Sequence, residues 1–422
     1  MGELLATLRN RNFALLWSGG LVSMTGDWML LVALPIYVYQ ATGSALATGA
    51  MFAAGLLPNV LFGSVAGVFV DRWDRRRTMV YANALLALSV LPLLLVPSTG
   101  WLWVVYAVAF VQSCFGVFNE PAENSLLPTL VGRDRLVTAN SLNAANNNLA
   151  RLAGPALAGL VVGWFGLVGV VVVDAASYLV SAALVSLIST PPTAERPEGT
   201  VPAGAGGVAA AFAGVWREWT EGLRLVGTGR VLLTVFLVGA VTGLGEGVFL
   251  ALFPPFVRVA LEGGALELGW LMSAQAVGGV LGGLVVGSAA ARLSPPRLLG
   301  LGAVLFGLVN LAIFVYPSFV QSIAVGLALF VLVGIPAAGM LAGLQTLLQT
   351  SAEDRFRGRV FGALGTTQAL LMLAGTLLGG ALGDAVGVVP VLVVQGGAYV
   401  AAGILVLVLL AHDGKQAPPR TA

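Results

Sequence analysis

The chain has 422 residues, 58% of them hydrophobic and only 9% charged, with a mean hydropathy of +0.94. Soluble domains carry about 25% charged residues, so this composition excludes an ordinary soluble protein and indicates an integral membrane one. The net charge of +2 gives no ground for a nucleic-acid partner, because the positive charge has a topological origin.

Single residues narrow the chemistry further. Cys114 is the only cysteine, which excludes an internal disulfide and thiolate metal clusters. His412 is the only histidine and lies in the polar tail, so zinc sites built on histidine, Ser-His triads and histidine proton relays are excluded from the membrane. Lys415 is the only lysine, and Gly414-Lys415-Gln416 is not a Walker A sequence. The expectation is a protein that is not an enzyme, with no cofactor, no metal and no nucleotide site of its own.

A membrane-crossing helix needs about 20 apolar residues. Such segments fall at 13–39, 45–70, 77–97, 101–123, 138–165, 168–189, 231–257, 266–290, 297–316, 320–343, 357–384 and 388–411. The fold class is therefore all-α integral membrane, with twelve transmembrane helices. The first segment is too long for a signal h-region and reads as a retained helix. Residues 1–189 form a first six-helix half and residues 230–411 a second. Residues 190–229 are a linker, proline-rich at first and then, from Val208 to Val226, amphipathic with tryptophans that suit the membrane surface. Residues 412–422 read as a disordered polar tail.

The basic residues set the orientation. Arg258 falls in an outer loop and Arg151 inside the membrane; the other Lys and Arg lie in the tails or in the loops after helices 2, 4, 6, 8 and 10. Both termini are thus cytoplasmic. Trp101, Trp103, Trp164 and Trp270 fall near the outer ends, as an aromatic belt does.

The two halves repeat. Residues 126–166 align with 347–387 without a gap, and Gly26-Asp27-Trp28 through Pro35 aligns with Gly245-Glu246-Gly247 through Pro254. Both members of the second pair read G-acid-x3-L-x3-P. Asp27 and Glu246 lie roughly fifteen residues into their spans, near the bilayer midplane at about 1.5 Å per residue. A carboxylate in such surroundings sheds its charge by taking a proton. Charged, it holds a cation or pairs with Arg151; protonated, it lets go. The competing reading is a structural hydrogen bond between helices, which two acids at equivalent positions disfavour.

Other polar residues offer two readings each. An arginine at mid-membrane costs about 2.5–3.5 kcal/mol on insertion scales, so Arg151 should face an aqueous cavity or an acid. It ends a stripe with Asn140, Asn143 and Asn147, residues that also serve as interhelical glue. Glu120 and Glu123 are either cavity acids or interfacial residues near Arg133 and Arg135. Asp174 and Asp384 lie near outer helix ends, where capping or solvation is expected.

Two motifs point to a family. After the second span comes Gly67-x3-Asp71-Arg72-Trp73-Asp74-Arg75-Arg76-Arg77, which resembles the loop signature of the major facilitator superfamily, with Asp74 in place of the family's glycine. Gly67 permits close helix packing, and Asp71, Arg72 and Arg75 suit a charge-assisted cytoplasmic gate, though arginines here also anchor the loop inside. The second half keeps a worn copy, Gly287-x3-Ala291-Arg292 and then Arg297, without the acid. Ser141, Ala150, Gly154-Pro155 and Ala158-Gly159 are similar to the antiporter motif, with small residues at three glycine positions; tight packing and a gating bend both fit. Asn119-Glu120-Pro121-Ala122, Leu127-Pro128, Ala139-Asn140 and Arg357-Gly358-Arg359-Val360-Phe361 resemble the drug:proton antiporter branch, which includes macrolide, multidrug and enterobactin exporters. That resemblance implies a central cavity lined by helices 1, 4, 7 and 10, carrying Asp27, Glu120 and Glu246, with Arg151 at the interface between halves. It implies proton-coupled export of amphipathic small molecules, with Trp28 and Phe249 in apolar and π contact with substrate. Symport by the same acids, export of a siderophore or lipid, and a passive channel are the alternatives. The expected partners are a small-molecule substrate, protons and the lipid bilayer; the expected state is a monomer in the plasma membrane, crossing it many times.

Overall fold

The computed structural model describes residues 2–70, 73–189, 207–227, 229–289, 293–351 and 356–410. Its elements are helices and short 3-10 turns. In chain order they are α1 (Gly2–Leu8), α2 (Arg11–Thr42), α3 (Ala45–Val70), α4 (Arg75–Val90), the single turn α5 (Val96–Thr99), α6 (Trp103–Gly116), α7 (Asn119–Val131) and α8 (Leu136–Ser186). Then follow α9 (Gly207–Val226), α10 (Arg230–Ala260), α11 (Ala265–Ala289), α12 (Pro295–Val315), α13 (Ile323–Ser351), α14 (Arg357–Val386) and α15 (Val388–Leu410).

Among the described residues, eleven helices are long and apolar enough to cross a membrane. One of them, α8, has 51 residues. A straight helix of that length would run about 76 Å, more than twice the hydrocarbon thickness. It does not run straight: Gly166 adopts φ 63°, ψ −160° and divides it into two arms, 136–165 and 167–186. That backbone region is open essentially to glycine alone. Twelve passages result. The same device recurs one repeat later, where Gly387, at φ 99° and ψ 151°, separates α14 from α15.

The surface has the character that lipid demands. Trp164, Val394, Leu284 and Val408 are each more than 60% exposed, which a bilayer accommodates and water would not. Trp101 and Trp103, at the start of α6, are also exposed, in keeping with an interfacial belt.

The chain forms two compact units. The first holds residues 1–43, 50–215 and 263–273; the second holds 44–49, 216–262 and 274–422. In the first, α2 packs along α8, and a core of Phe13, Leu16, Met79, Leu126, Leu142 and Val185 lies at one end. Asn146 on α8 donates to the Trp17 carbonyl (2.8 Å), and the Trp17 indole donates back to the Leu142 carbonyl (2.9 Å). In the second unit, α10 packs on α14 and α12 on α15, around a core that includes Val235, Phe236, Leu299, Leu347, Val360 and Val406.

The amphipathic helix expected in the linker forms as α9, but part of its face is taken up by protein. The Trp219 indole donates to Thr367 Oγ (3.1 Å), and Glu221 pairs with Arg359 (3.3 Å). Only Trp216 of its two tryptophans is exposed. The proline-rich stretch before it and the polar tail lie outside the described residues.

Asp74, the departure from the family's loop glycine, caps α4. Its backbone is extended (φ −67°, ψ 113°), and its carboxylate accepts from the Arg77 N–H at 2.7 Å. Losing an N-cap acid to alanine costs about 0.5–2 kcal/mol, and to glycine a few tenths. Asp74→Ala should therefore lower the melting temperature of the purified protein, and Asp74→Gly should leave it nearly unchanged. Equal melting curves for native and alanine proteins would refute the cap.

Candidate functional site

The first unit places a polar cluster where α2 meets the second arm of α8. Asp27 projects from α2 and keeps an exposed face. The Tyr178 hydroxyl donates to Asp27 Oδ1. Tyr178 is 4% exposed and Asp174, one turn before it on α8, is 0% exposed. Asp27 lies within electrostatic reach of Asp174. Gly26 makes the approach possible: a Cβ on it would collide with Asp174 Oδ1 and Ser177 Oγ. Gln112 of α6 is the polar side chain beside Asp174, yet neither carboxylate oxygen of Asp174 nor Gln112 Nε2 completes a hydrogen bond of normal geometry.

Asp174 corrects the sequence reading. It was expected near an outer helix end, capping or meeting water; it is instead wholly enclosed, within electrostatic reach of Asp27. The reason is the fold at Gly166, which brings the second arm of α8 back along α2. Asp384 does cap. Its carboxylate accepts from the Ser44 hydroxyl (2.6 Å) and from the N–H groups of Ala45 (2.6 Å) and Leu46 (3.1 Å) at the start of α3.

The second unit holds the repeat mates. Glu246 on α10 is exposed, as Asp27 is. Tyr399 takes the place of Tyr178 and Gln395 the place of Asp174, at the same 221-residue offset that relates 126–166 to 347–387. Tyr399 stacks on Gly245, lies within electrostatic reach of Glu246, and points its hydroxyl at the Thr242 carbonyl (3.4 Å). Gln395 donates to the Gly245 carbonyl (3.1 Å). One helical turn on from Glu246, Phe249 stacks on Phe253 (4.6 Å between centroids), which stacks on Phe330 (5.1 Å).

The remaining candidates divide into those joined to these clusters and those apart. Arg151 lies over the Trp28 ring, 5.8 Å from its centroid. Among the described residues it has no carboxylate partner, so the Asp27–Arg151 ion pair considered from sequence is absent. Gly154 packs against α2, where a Cβ would strike Trp28 and the Thr25 carbonyl. Pro155 removes the donor for the Arg151 carbonyl, and its own carbonyl is met by Gly269 at backbone contact. Ser273 donates to the neighbouring Leu152 carbonyl (2.7 Å). Asn147 and Glu120 are exposed. Glu123 accepts from Asn143 at 2.9 Å, so that asparagine joins α7 to α8. Arg75 reaches the Ser125 carbonyl (2.8 Å), tying α4 to α7. Gly67 falls within α3; Asp71 and Arg72 lie outside the described residues.

Comparison with known proteins agrees with this architecture. Residues 3–418 match the family described as transmembrane secretion effector, of the major facilitator type. Macrolide efflux protein A of Streptococcus pyogenes is 26% identical over 383 residues, covering 89% of this chain and 90% of that protein. The multidrug efflux pump Tap of Mycolicibacterium fortuitum is 30% identical over 378 residues, covering 87% and 88%. Among solved structures, the nucleoside transporter NupG superposes with a TM-score of 0.74 at 12% identity, over 94% of this chain and 98% of that one. A bacterial homologue of the iron transporter ferroportin gives 0.70 at 16%, over 97% and 99%; these two likenesses speak for the fold alone. The chain therefore belongs to the transmembrane secretion effector family of the major facilitator superfamily: it is a multi-pass membrane transporter and not an enzyme.

Proposed function

We propose that this transporter exports amphipathic, cationic small molecules from the cytoplasm across the plasma membrane in exchange for protons. The observation that carries the reading is the pair of acids Asp27 and Glu246. Each is exposed on the first spanning helix of its repeat, beside a buried tyrosine. The similarity to macrolide efflux protein A and to the multidrug efflux pump Tap favours export.

The cycle follows from the charge of the two acids. Deprotonated and open to the cytoplasm, Asp27 and Glu246 each attract a cation, and Trp28 in the first unit and the Phe249 stack in the second each offer aromatic faces to an apolar body. Protons arriving from outside neutralise both carboxylates and release it. Alternating exposure of the acids to the two sides, with Gly154 and Pro155 at the bend and Arg75 at the cytoplasmic loop, completes the exchange. Arg151, held over Trp28, sets the positive limit of the site and disfavours anionic cargo. The protein works as a monomer.

Everted membrane vesicles supplied with ethidium test this. Native protein should accumulate ethidium in the lumen when respiration acidifies it, and a protonophore should stop accumulation. Asp27→Asn and Glu246→Gln should each remove the uphill component at unchanged protein level. Undiminished uphill transport by both variants would end the coupled-export reading; flux unaffected by the protonophore would instead describe a passive channel.

A further inference from the structure

The enclosed carboxyl of Asp174 has no place in the cycle just described, and its surroundings say what form it takes. In the second unit the equivalent slot holds Gln395, whose amide N–H donates to the Gly245 carbonyl. The slot therefore suits a neutral side chain that donates. Aspartate supplies a donor there only as the carboxylic acid. As a carboxylate it would sit at 0% exposure with both oxygens unmatched, close to a second acid and against the Cα of Gly26.

Among the described residues, the groups around it leave no cation to offset such a charge. On α2 the facing acid is Asp27, and on α6 the facing polar group is Gln112. On its own arm Tyr178 stands one turn away, its hydroxyl engaged with Asp27. Arg75 and Arg76 of α4 are bound to the Ser125 and Ser186 carbonyls; Ser186 is twelve residues beyond Asp174, about 18 Å along the helix. On α7, Glu123 is engaged with Asn143. Arg151 of the first arm stands over Trp28.

We propose that Asp174 is a second proton-holding residue of this transporter, an enclosed acid beside Asp27 and Tyr178 that the second unit, with Gln395 in its place, does not possess. It rests on the proton-coupled reading above. Two carboxyls within electrostatic reach of each other resist ionising together. When Asp27 gives up its proton, Asp174 keeps one. Asp27 alone meets the accessible face and gives up its proton first; Asp174, enclosed behind it, gives up its own last.

The test uses the purified full-length protein in nanodiscs, read by infrared titration of the protonated-carboxyl stretch, together with the pH profile of ethidium efflux in everted vesicles. Native protein and Asp27→Asn should show an enclosed carboxylic-acid band at neutral pH, and Asp174→Asn should lose it. The native efflux profile should contain one ionisation more than that of Asp174→Asn. A band that persists in Asp174→Asn overturns the proposal. So does a lost band with an unchanged efflux profile, which would leave Asp174 a structural hydrogen-bond donor. Gln395→Asp provides an independent check that does not require Asp174 variants to fold: it should add a second carboxylic-acid band, and its absence would contradict the argument from the equivalent slot. If Asp27→Asn and Glu246→Gln transport uphill as well as native protein, the export reading itself fails. If they are inactive while Asp174→Asn matches native protein, only the present inference falls.

Discussion

Gly247→Leu should yield no folded transporter. Gly247 lies on α10 where a Cβ would fall on the Met372 carbonyl oxygen of α14, with the Thr376 nitrogen at 2.8 Å and the Met372 carbonyl carbon at 2.9 Å. These are backbone atoms one helical turn apart and cannot swing aside. Membrane helices associate through such close approach of small residues, because lipid offers no hydrophobic force between them. Overpacking by even a methyl group costs about 1–3 kcal/mol in an ordinary core, and here an entire isobutyl group would separate the two helices that carry Glu246 and its supports. Fluorescence-detected size exclusion should show the monodisperse peak lost. Gly279→Leu is the control: a Cβ there meets nothing within 4 Å, and its peak should match the native one. A normal peak for Gly247→Leu would mean that α10 and α14 do not meet at this glycine.

Gly26→Val should leave a folded protein that does not pump. The atoms a Cβ would meet are side-chain atoms, Asp174 Oδ1 and Ser177 Oγ, which move by rotation where a carbonyl cannot. The helices stay packed, but Asp174 is driven out of its slot and the Tyr178–Asp27 hydrogen bond goes with it. Uphill ethidium transport should fall at least about tenfold, equivalent to about 1.4 kcal/mol at the barrier, with protein level within about twofold of native. Gly20→Ala, one and a half turns earlier, approaches only the Asn146 amide nitrogen at 3.3 Å and should transport nearly as native does. Native transport by Gly26→Val would sever the link between this contact and the site.

The fold was largely legible because hydrocarbon imposes it. Apolar runs of the right length, arginines on alternate loops and outer tryptophans each reflect the bilayer directly. Asp27 and Glu246 stood out for the same reason, since an acid in such a run is costly. Asp174 did not, because its distance from the helix end in sequence says nothing about the partner helix folded over it. The signal was there in the repeat: extending the 126–166 alignment a few residues pairs Asp174 with Gln395 and Tyr178 with Tyr399. In sequence Asp74 is only a departure from a loop motif; its role as a cap comes from the extended backbone before α4. The Asp27–Arg151 pairing failed because sequence places both at mid-membrane without telling which way each helix turns; Arg151 faces Trp28 instead.

The glycine corners at Gly166 and Gly387 bear on how the chain is made. Each reverses direction within a single residue, so the arms on either side have no slack with which to enter the bilayer one at a time. The fifth and sixth passages, and the eleventh and twelfth, are expected to insert as hairpins during synthesis. An epitope or glycosylation tag placed at either corner would disturb insertion itself rather than report topology, and the outer ends before α6 and α11 are the better sites for such labels.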